Sequence, residues 1–314
     1  MAVKTEDLPL NNSCQPVFTV FTPTYNRALT LGRVYGSLQK QTFRDFEWLI
    51  VDDGSSDGTF ELIQSGQREA DFPIRYFRQD HQGKHIAFNR GVQEAYGELF
   101  LLIDSDDEFF PEALERFLYH WESIPMDQRE QFVGVTALCI DQNGKLVGDP
   151  YPWDITDSDA LEIRYRYKIR GEKWGFNRTA VLKEFLFPEI LKRTYLPEGI
   201  IWNQIARKYK TRFINERLRI YWIESTSLVH GKNKARTNAQ GGQLQHLNNL
   251  NNELDWFRYA PGDFFRSAVH FGRFSFHVGD GLGKQFKMLE NRLAQVLWFL
   301  MLPLAVMIFL KDPK

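Results

Sequence analysis

Over the first 110 residues, short apolar runs alternate with amphipathic stretches. Val17–Thr22 is rich in β-formers, and a helical pattern follows from Leu29 to Gln39. Glu47–Val51 predicts a second strand, with Asp57 placed to cap the helix behind it. Ile74–Phe77 predicts a third strand, His85–Ala95 a helix and Leu99–Ile103 a fourth strand. Strands and helices alternating over short connections predict a parallel sheet covered on both faces. In such sheets ligands collect beyond the carboxyl ends of the strands.

The pattern then loosens. Glu112–Trp121 predicts a helix, and Phe132–Ile140 with the segment from Lys145 predicts a hairpin turning at Asn143-Gly144. Residues 150–175 carry aromatics and charges without a period and read as loop. Ile200–Lys208 predicts a helix, Arg212–Ile214 and Leu218–Ile223 predict strands, and the chain from Gln240 onward reads as mainly helical. Near its end Val296–Leu310 is an apolar run broken by Pro303, with Lys284, Lys287 and Arg292 before it and Lys311 after it. It is shorter than the ~20 residues a spanning helix needs. Three expectations follow: a helix lying on a membrane surface, a buried closing helix, or a span.

Composition narrows the class. The 314 residues are 43% hydrophobic and 25% charged, which excludes a disordered chain. A net charge of −1 gives no reason to expect nucleic acid as a partner. Cys14 and Cys139 have no metal-type spacing, no disulfide is expected, and a reducing cytosol is the simpler setting. Residues 1–7 contain no apolar run, so no secretory signal is expected.

The chemistry gathers where predicted strands end. Thr22-Pro23-Thr24-Tyr25-Asn26-Arg27 follows the first strand, and Asp52-Asp53-Gly54-Ser55-Ser56-Asp57-Gly58-Thr59 follows the second. Asp104-Ser105-Asp106-Asp107-Glu108 follows the fourth. That much like charge is costly unless a cation neutralises it, and carboxylate oxygens select hard ions such as Mg²⁺ or Mn²⁺. The plainer alternative is a solvated acidic turn capping the helix near Pro111. Asp53, Ser55 and Asp57 do not make a calcium loop, because the twelfth position holds Gln64 and the flanks read strand then helix. Gly83-Lys84-His85 is not a phosphate loop either, since the required first glycine is Arg78 and His85 replaces Ser or Thr.

Taken together, Thr22–Arg27, Val51–Thr59, Gly83–Gly91 and Leu101–Asp107 resemble the signature set of glycosyltransferase family 2. The resemblance covers about residues 15–225. It implies an α/β chain with the GT-A fold, an open αβα sandwich around a mostly parallel, Rossmann-like sheet, here with a C-terminal helical tail. It implies an inverting transfer from a nucleotide-diphosphate sugar, with UDP-sugars favoured, to a glycan or lipid-linked acceptor hydroxyl. Thr22, Pro23, Tyr25, Arg27, Asp52, Asp53, Lys84, Asp104 and Ser105 are then expected around the donor, with Asp52 or Asp53 on the base and Asp104 near the ribose. Asp106 is expected to hold Mn²⁺ or Mg²⁺ between the phosphates. The family's acidic pair near a later helix start corresponds to Glu198, the expected base, but Gly199 replaces the second acid. Trp174 and Trp202 are acceptor-side candidates, and His230 a further metal candidate.

The resulting organisation is an extension at 1–15, a transferase domain at 16–228 and a helical region at 229–314. Within the domain, 16–110 forms the nucleotide half and 111–228 the acceptor half. The expected setting is bacterial polysaccharide or glycolipid assembly at the cytoplasmic face of the membrane. Two rivals stand beside this reading. A sugar nucleotidyltransferase would carry a Gly-rich basic loop after the first strand, and Thr22–Arg27 has no glycine. A non-catalytic sugar-nucleotide or glycan-binding protein would not need Glu198.

Overall fold

The computed structural model describes residues 15–189, 191–223 and 234–312. Cys14, His230 and all but the last residue of the expected extension lie outside them. In chain order the elements begin β1 (Phe18–Thr24), α1 (Leu31–Gln39), β2 (Phe46–Asp52), α2 (Thr59–Glu69), β3 (Ile74–Arg78), α3 (Lys84–Glu94) and β4 (Leu99–Leu102). There follow β5 (Glu108–Phe109), α4 (Ala113–Glu122), β6 (Phe132–Asp141), β7 (Ile155–Ser158), α5 (Ala160–Tyr165), β8 (Lys173–Arg178) and α6 (Thr179–Glu184). The last are α7 (Gly199–Ala206), β9 (Lys210–Tyr221), α8 (Lys234–Thr237), α9 (Ala239–Asn252), α10 (Pro261–Val278), α11 (Leu282–Met288) and α12 (Arg292–Lys311). They form two compact units. One holds the residues up to Asp159 with Arg170–Phe187 and Lys208–Ile223, the other Ala160–Ile169, Pro188–Arg207 and the chain from Glu224.

The first unit is built on a sheet ordered β3-β2-β1-β4-β8-β6-β9-β5, with β7 paired to β9. The stretch β3-β2-β1-β4 is parallel, so these four strands deliver their carboxyl ends to one edge. Every residue of β1 and β2 is buried, as expected for strands covered on both faces. Phe18, Val20, Trp48, Ile50 and Leu101 share a core with Leu31, Val34 and Leu38 of α1. On the other face α3 lies close against β1: a Cβ on Gly91 would stand 2.2 Å from the Phe21 ring. Only glycine permits that approach.

The structure corrects three local expectations. Residues 150–175 are not a loop: they contain β7 and α5, and β8 begins within them between β4 and β6. In β8 the buried Trp174 and Phe176 alternate with half-buried Lys173, Gly175 and Asn177, a period of two hidden by the polar partners. The expected separate strands near 212 and 218 are one strand, β9, whose register against β6 shifts at several points. The expected hairpin is reduced to a turn in which Lys145 N–H bonds the Asp141 side chain at 2.9 Å, with one bridge between Ile140 and Leu146.

The second unit is helical. Leu250 of α9, Phe264 and Phe271 of α10, and Leu297 and Trp298 of α12 share one core with Leu161 and Tyr165 of α5. A buried polar knot ties it: Glu253 accepts from Tyr165 Oη at 2.5 Å and from Asn203 Nδ2 at 2.7 Å.

At the amino-terminal edge of the parallel strands sits Glu47 of β2, fully buried. Its carboxylate accepts from Thr19 Oγ1 at 2.6 Å, the Tyr96 amide at 2.8 Å and Arg75 at 3.1 Å. Removing it strands two donors, Thr19 Oγ1 and the Tyr96 amide, and leaves the largely buried Arg75 guanidinium with Glu94 alone as its ion partner among the described residues. We expect Glu47→Ala to lower unfolding free energy by about 3–5 kcal/mol. Denaturant titration checks this, and a loss below about 1 kcal/mol would show that the knot does not hold the sheet edge.

Candidate active site

The loops at the carboxyl edge of β1 to β4 are stitched to one another by side chains. Asn26, held at φ 52°, donates its amide to Ser55 Oγ at 2.8 Å, and its own Oδ1 accepts the Ser56 amide at 2.8 Å. Arg27 N–H reaches Thr59 Oγ1 at 3.1 Å and Ala28 N–H reaches Asp57 Oδ2 at 3.1 Å. Asp57 also accepts the amide of Thr59, the first residue of α2, but the N-cap position itself is Gly58, one residue beyond the expected Asp57. The loops after β1 and β2 are therefore bound to each other by hydrogen bonds.

Asp52 and Asp53 both face inward. Asp52 is fully buried and accepts from the Ser55 amide and from Tyr76 Oη, each at 2.7 Å. Burial, reinforced by this carboxylate, raises the Tyr76 phenol well above its ordinary value. The Asp52 carboxylate, one of the two expected at a base, holds Tyr76. Asp53 accepts four bonds, from Gln79 Nε2, His81 Nδ1 and the amides of Gln82 and Gly83, between 2.7 and 2.9 Å. Four bonds fill the lone-pair positions of a carboxylate. Asp53 therefore shapes the turn at 79–83, and it brings the His81 ring against the half-exposed Tyr25 with centroids 4.2 Å apart. Gly54 makes this possible: it sits at φ +89°, and a Cβ there would approach His81 N to 3.0 Å.

The acids after β4 are sorted by the cations around them. Asp104 Oδ1 receives Lys84 Nζ at 2.6 Å, and its Oδ2 lies 3.4 Å from Arg219. Crowding by protein pushes its carboxyl up, but Lys84 and Arg219 prevail and hold it at about 2. Asp107 is buried, forms an ion pair with Arg219 and accepts the Trp222 amide at 2.9 Å. Burial lifts it to about 6 against the pull of Arg219. Asp106 differs. Among the described residues its ion partner is Arg27 at 3.8 Å, and 31% of its side chain is exposed. Burial and then repulsion from Asp104 raise its carboxyl above the ordinary range. Arg33 donates to the Asp106 carbonyl at 2.9 Å and stacks 4.0 Å over the Trp222 ring.

A partly exposed carboxylate, that of Asp106, offers the oxygen donors that a hard dication takes. Among the described residues no group of three or more His, Cys, Asp or Glu is placed to cage one. Such an ion would take one or two carboxylates here and its remaining ligands from phosphate and water, as Mg²⁺ commonly does.

Of the expected residues, the first unit brings together Tyr25, Arg27, Lys84, Asp104, Ser105 and Asp106, with Thr22 and Pro23 beneath them. Thr22 is buried and accepts Trp48 Nε1 at 3.0 Å, and Pro23 is buried in register with Val51, so both serve the sheet. Trp174 is corrected. It packs against Phe109 and Phe117 in the core and donates to the Leu102 carbonyl at 2.6 Å. Glu198 and Trp202 belong to the second unit. Glu198 starts α7, and Trp202 Nε1 donates to its Oε2 at 3.3 Å. At Gly199, where the family pattern has an acid, a Cβ would stand 3.1 Å from the Gln245 amide.

The family model described as Glycosyl transferase family 2 matches residues 19–143. An uncharacterised glycosyltransferase of Nostoc is 38% identical over 232 residues, 72% of this chain and 69% of the relative. The chain belongs to glycosyltransferase family 2. A Campylobacter jejuni relative named GalNAc(5)-diNAcBac-PP-undecaprenol beta-1,3-glucosyltransferase is 28% identical over 82% of this chain and 83% of its own. Among solved structures, Staphylococcus aureus TarS 1–349 with UDP-GlcNAc aligns with TM-score 0.59 at 19% identity, over 92% of this chain and 80% of that one. The Pyrobaculum calidifontis mannosyltransferase with GDP-Man and Mn²⁺ aligns with TM-score 0.56 at 15% identity, over 99% and 92%. These two carry the fold, a mixed α/β sheet domain followed by helices.

Three side chains of this candidate site escaped sequence reasoning: Arg219, His81 and Gln79. The signal for Arg219 was an arginine within the apolar strand run Leu218–Ile223, over a hundred residues from its acids. For Asp53→Ala we expect the Gln82 and Gly83 amides to exchange with deuterium at least about tenfold faster. Unchanged protection would mean that the 79–83 turn stands without Asp53.

Proposed function

We propose that the enzyme transfers a sugar, with inversion, from a UDP-sugar to a hydroxyl of a glycan or lipid-linked acceptor at the cytoplasmic face of a bacterial membrane. The single observation that carries the donor half is the asymmetry of Asp104 and Asp106. One acid is held by Lys84 and Arg219, while the other stands partly exposed with Arg27 no nearer than 3.8 Å. The acceptor class is supported by the Campylobacter relative, whose name specifies an undecaprenol-linked substrate. UDP is supported by the TarS complex, and GDP-Man in the mannosyltransferase is the alternative that a donor screen resolves.

In this reading Asp106 holds Mn²⁺ or Mg²⁺, with Asp104 beside it taking a ribose hydroxyl. A dication there supplies positive charge facing the departing diphosphate. Lys84 and Arg27 add fixed positive charge at the same edge, and Tyr25 with His81 offers a flat aromatic surface for the base. Glu198 acts as general base. The acceptor oxygen bonds to the anomeric carbon as the bond from that carbon to the phosphate oxygen breaks, and the hydroxyl proton passes to Glu198. No sugar becomes bonded to the enzyme.

A thermal-shift screen of UDP-, GDP-, CDP- and dTDP-sugars with and without Mn²⁺ tests the donor half. We expect stabilisation by a UDP compound that needs the metal and disappears in Asp106→Ala. Stabilisation indifferent to EDTA would remove the dication, and preference for another nucleotide would remove UDP. For Glu198→Gln we expect donor binding to persist while turnover falls on the order of a hundredfold or more. Near-normal turnover would assign the base elsewhere.

A further inference from the structure

The exposed side of α12 is unusually uniform. Leu293, Val296, Phe299, Leu300, Pro303, Leu304, Met307 and Leu310 are all exposed, Phe299 at 69% and Leu310 at 73%. At about 100° per residue they fall within one arc of about 140°. The arc contains no acid. The other exposed positions on it are Arg292 and Lys311, at its two ends. Next to it in sequence, α11 exposes Leu282 and Phe286 one turn apart, followed by exposed Lys287.

The opposite side of the helix is committed to protein. Ala294, Leu297, Trp298 and Ala305 are buried in the core that α10 shares. Gly272 of α10 meets Ala305 so closely that a Cβ on it would stand 3.0 Å from the alanine methyl. Trp298 Nε1 donates to Gln285 Oε1 at 3.0 Å. Beyond the end of α12, Asp312 is clasped by Arg273 and by His277 Nε2 at 2.7 Å. The helix is long and apolar enough to cross a membrane by length and composition. Crossing would nevertheless require either stripping it from α10 or taking Arg266, Arg273 and His277 into hydrocarbon. Both are costly.

We propose that α12 lies in the plane of a membrane, its Leu293–Leu310 arc sunk into one leaflet that bears anionic lipid. This rests on the reading of the enzyme as one that serves a membrane-borne acceptor. An in-plane helix needs what the arc provides: a wide apolar stripe, its protein side occupied, and basic side chains at both ends reaching the headgroups. Arg292, Lys311 and Lys287 complement negative headgroups. The arc thus separates lying on the membrane from crossing it, which length and composition alone do not.

The full chain should co-sediment with vesicles of phosphatidylcholine and phosphatidylglycerol, and much less with phosphatidylcholine alone. The variant Phe299→Gln/Leu300→Gln/Leu310→Gln changes exposed positions only, so its thermal midpoint should stay unchanged while vesicle binding falls at least about tenfold. Its nucleotide release with a water-soluble acceptor should equal that of the parent. Loss of that activity in both proteins would count against the transferase reading, not the docking. Equal vesicle binding by parent and variant would overturn the proposal. So would a lipid-free dimer that the variant dissolves without any vesicle binding, because the arc would then belong to a second copy. In a Cys14→Ser background, Arg292→Cys and Lys311→Cys should each react with an impermeant maleimide added outside the vesicles. Protection of one end only would mean that the helix crosses.

Discussion

Like charge at the end of one strand is the constraint around which the site is organised. β4 ends in three aspartates within four residues, and the sheet cannot hold them together unless each finds a counter-charge. Among the described residues, two cations hold two of them closely. Arg219 from β9 serves Asp107 and leans toward Asp104, and Lys84 at the start of α3 completes Asp104. Asp106 is left with Arg27 at 3.8 Å and an open carboxylate. The carboxyl end of β4 therefore holds one incompletely paired acid, and it sits where a parallel sheet presents its ligands.

The neighbouring loops turn that incompleteness into a defined place. Asp52 and Asp53 act as internal fasteners, one on Tyr76 and one on the 79–83 turn. Asn26 and Asp57 bind the first two loops to each other. This is preorganisation in a concrete sense: the acids of the second loop are consumed in holding the shape within which the acids of the fourth loop remain reactive.

Much of this was legible in the residues because parallel strands covered on both faces leave a strong apolar signal. Strands at 18–24, 46–52, 74–78 and 99–102 fall within one or two residues of where the pattern puts them. The central strand β8 was not legible, because Lys173, Asn177 and Arg178 interrupt its apolar alternation. At the candidate site, polar clusters at strand ends singled out Asp104 and Asp106, and the Gly83-Lys84-His85 run singled out Lys84. Their division of labour was hidden, since it depends on Arg219, which only tertiary pairing of β9 with the remaining sheet brings near. Trp174 shows the opposite error: an aromatic expected at a sugar is a core residue whose indole N–H finds a backbone carbonyl. For α12, the apolar run gave length and composition, but which residues face protein is a tertiary fact.

The central claim is electrostatic, and carboxyl-carbon NMR of ¹³C-labelled aspartates measures it directly. Asp104 should titrate near 2 and Asp106 above the ordinary carboxylate range, with Asp106 responding most when Mg²⁺ is added together with UDP. If both carboxyls titrate alike and neither responds to the added ion, the proposed division between a neutralised acid and an open one is wrong.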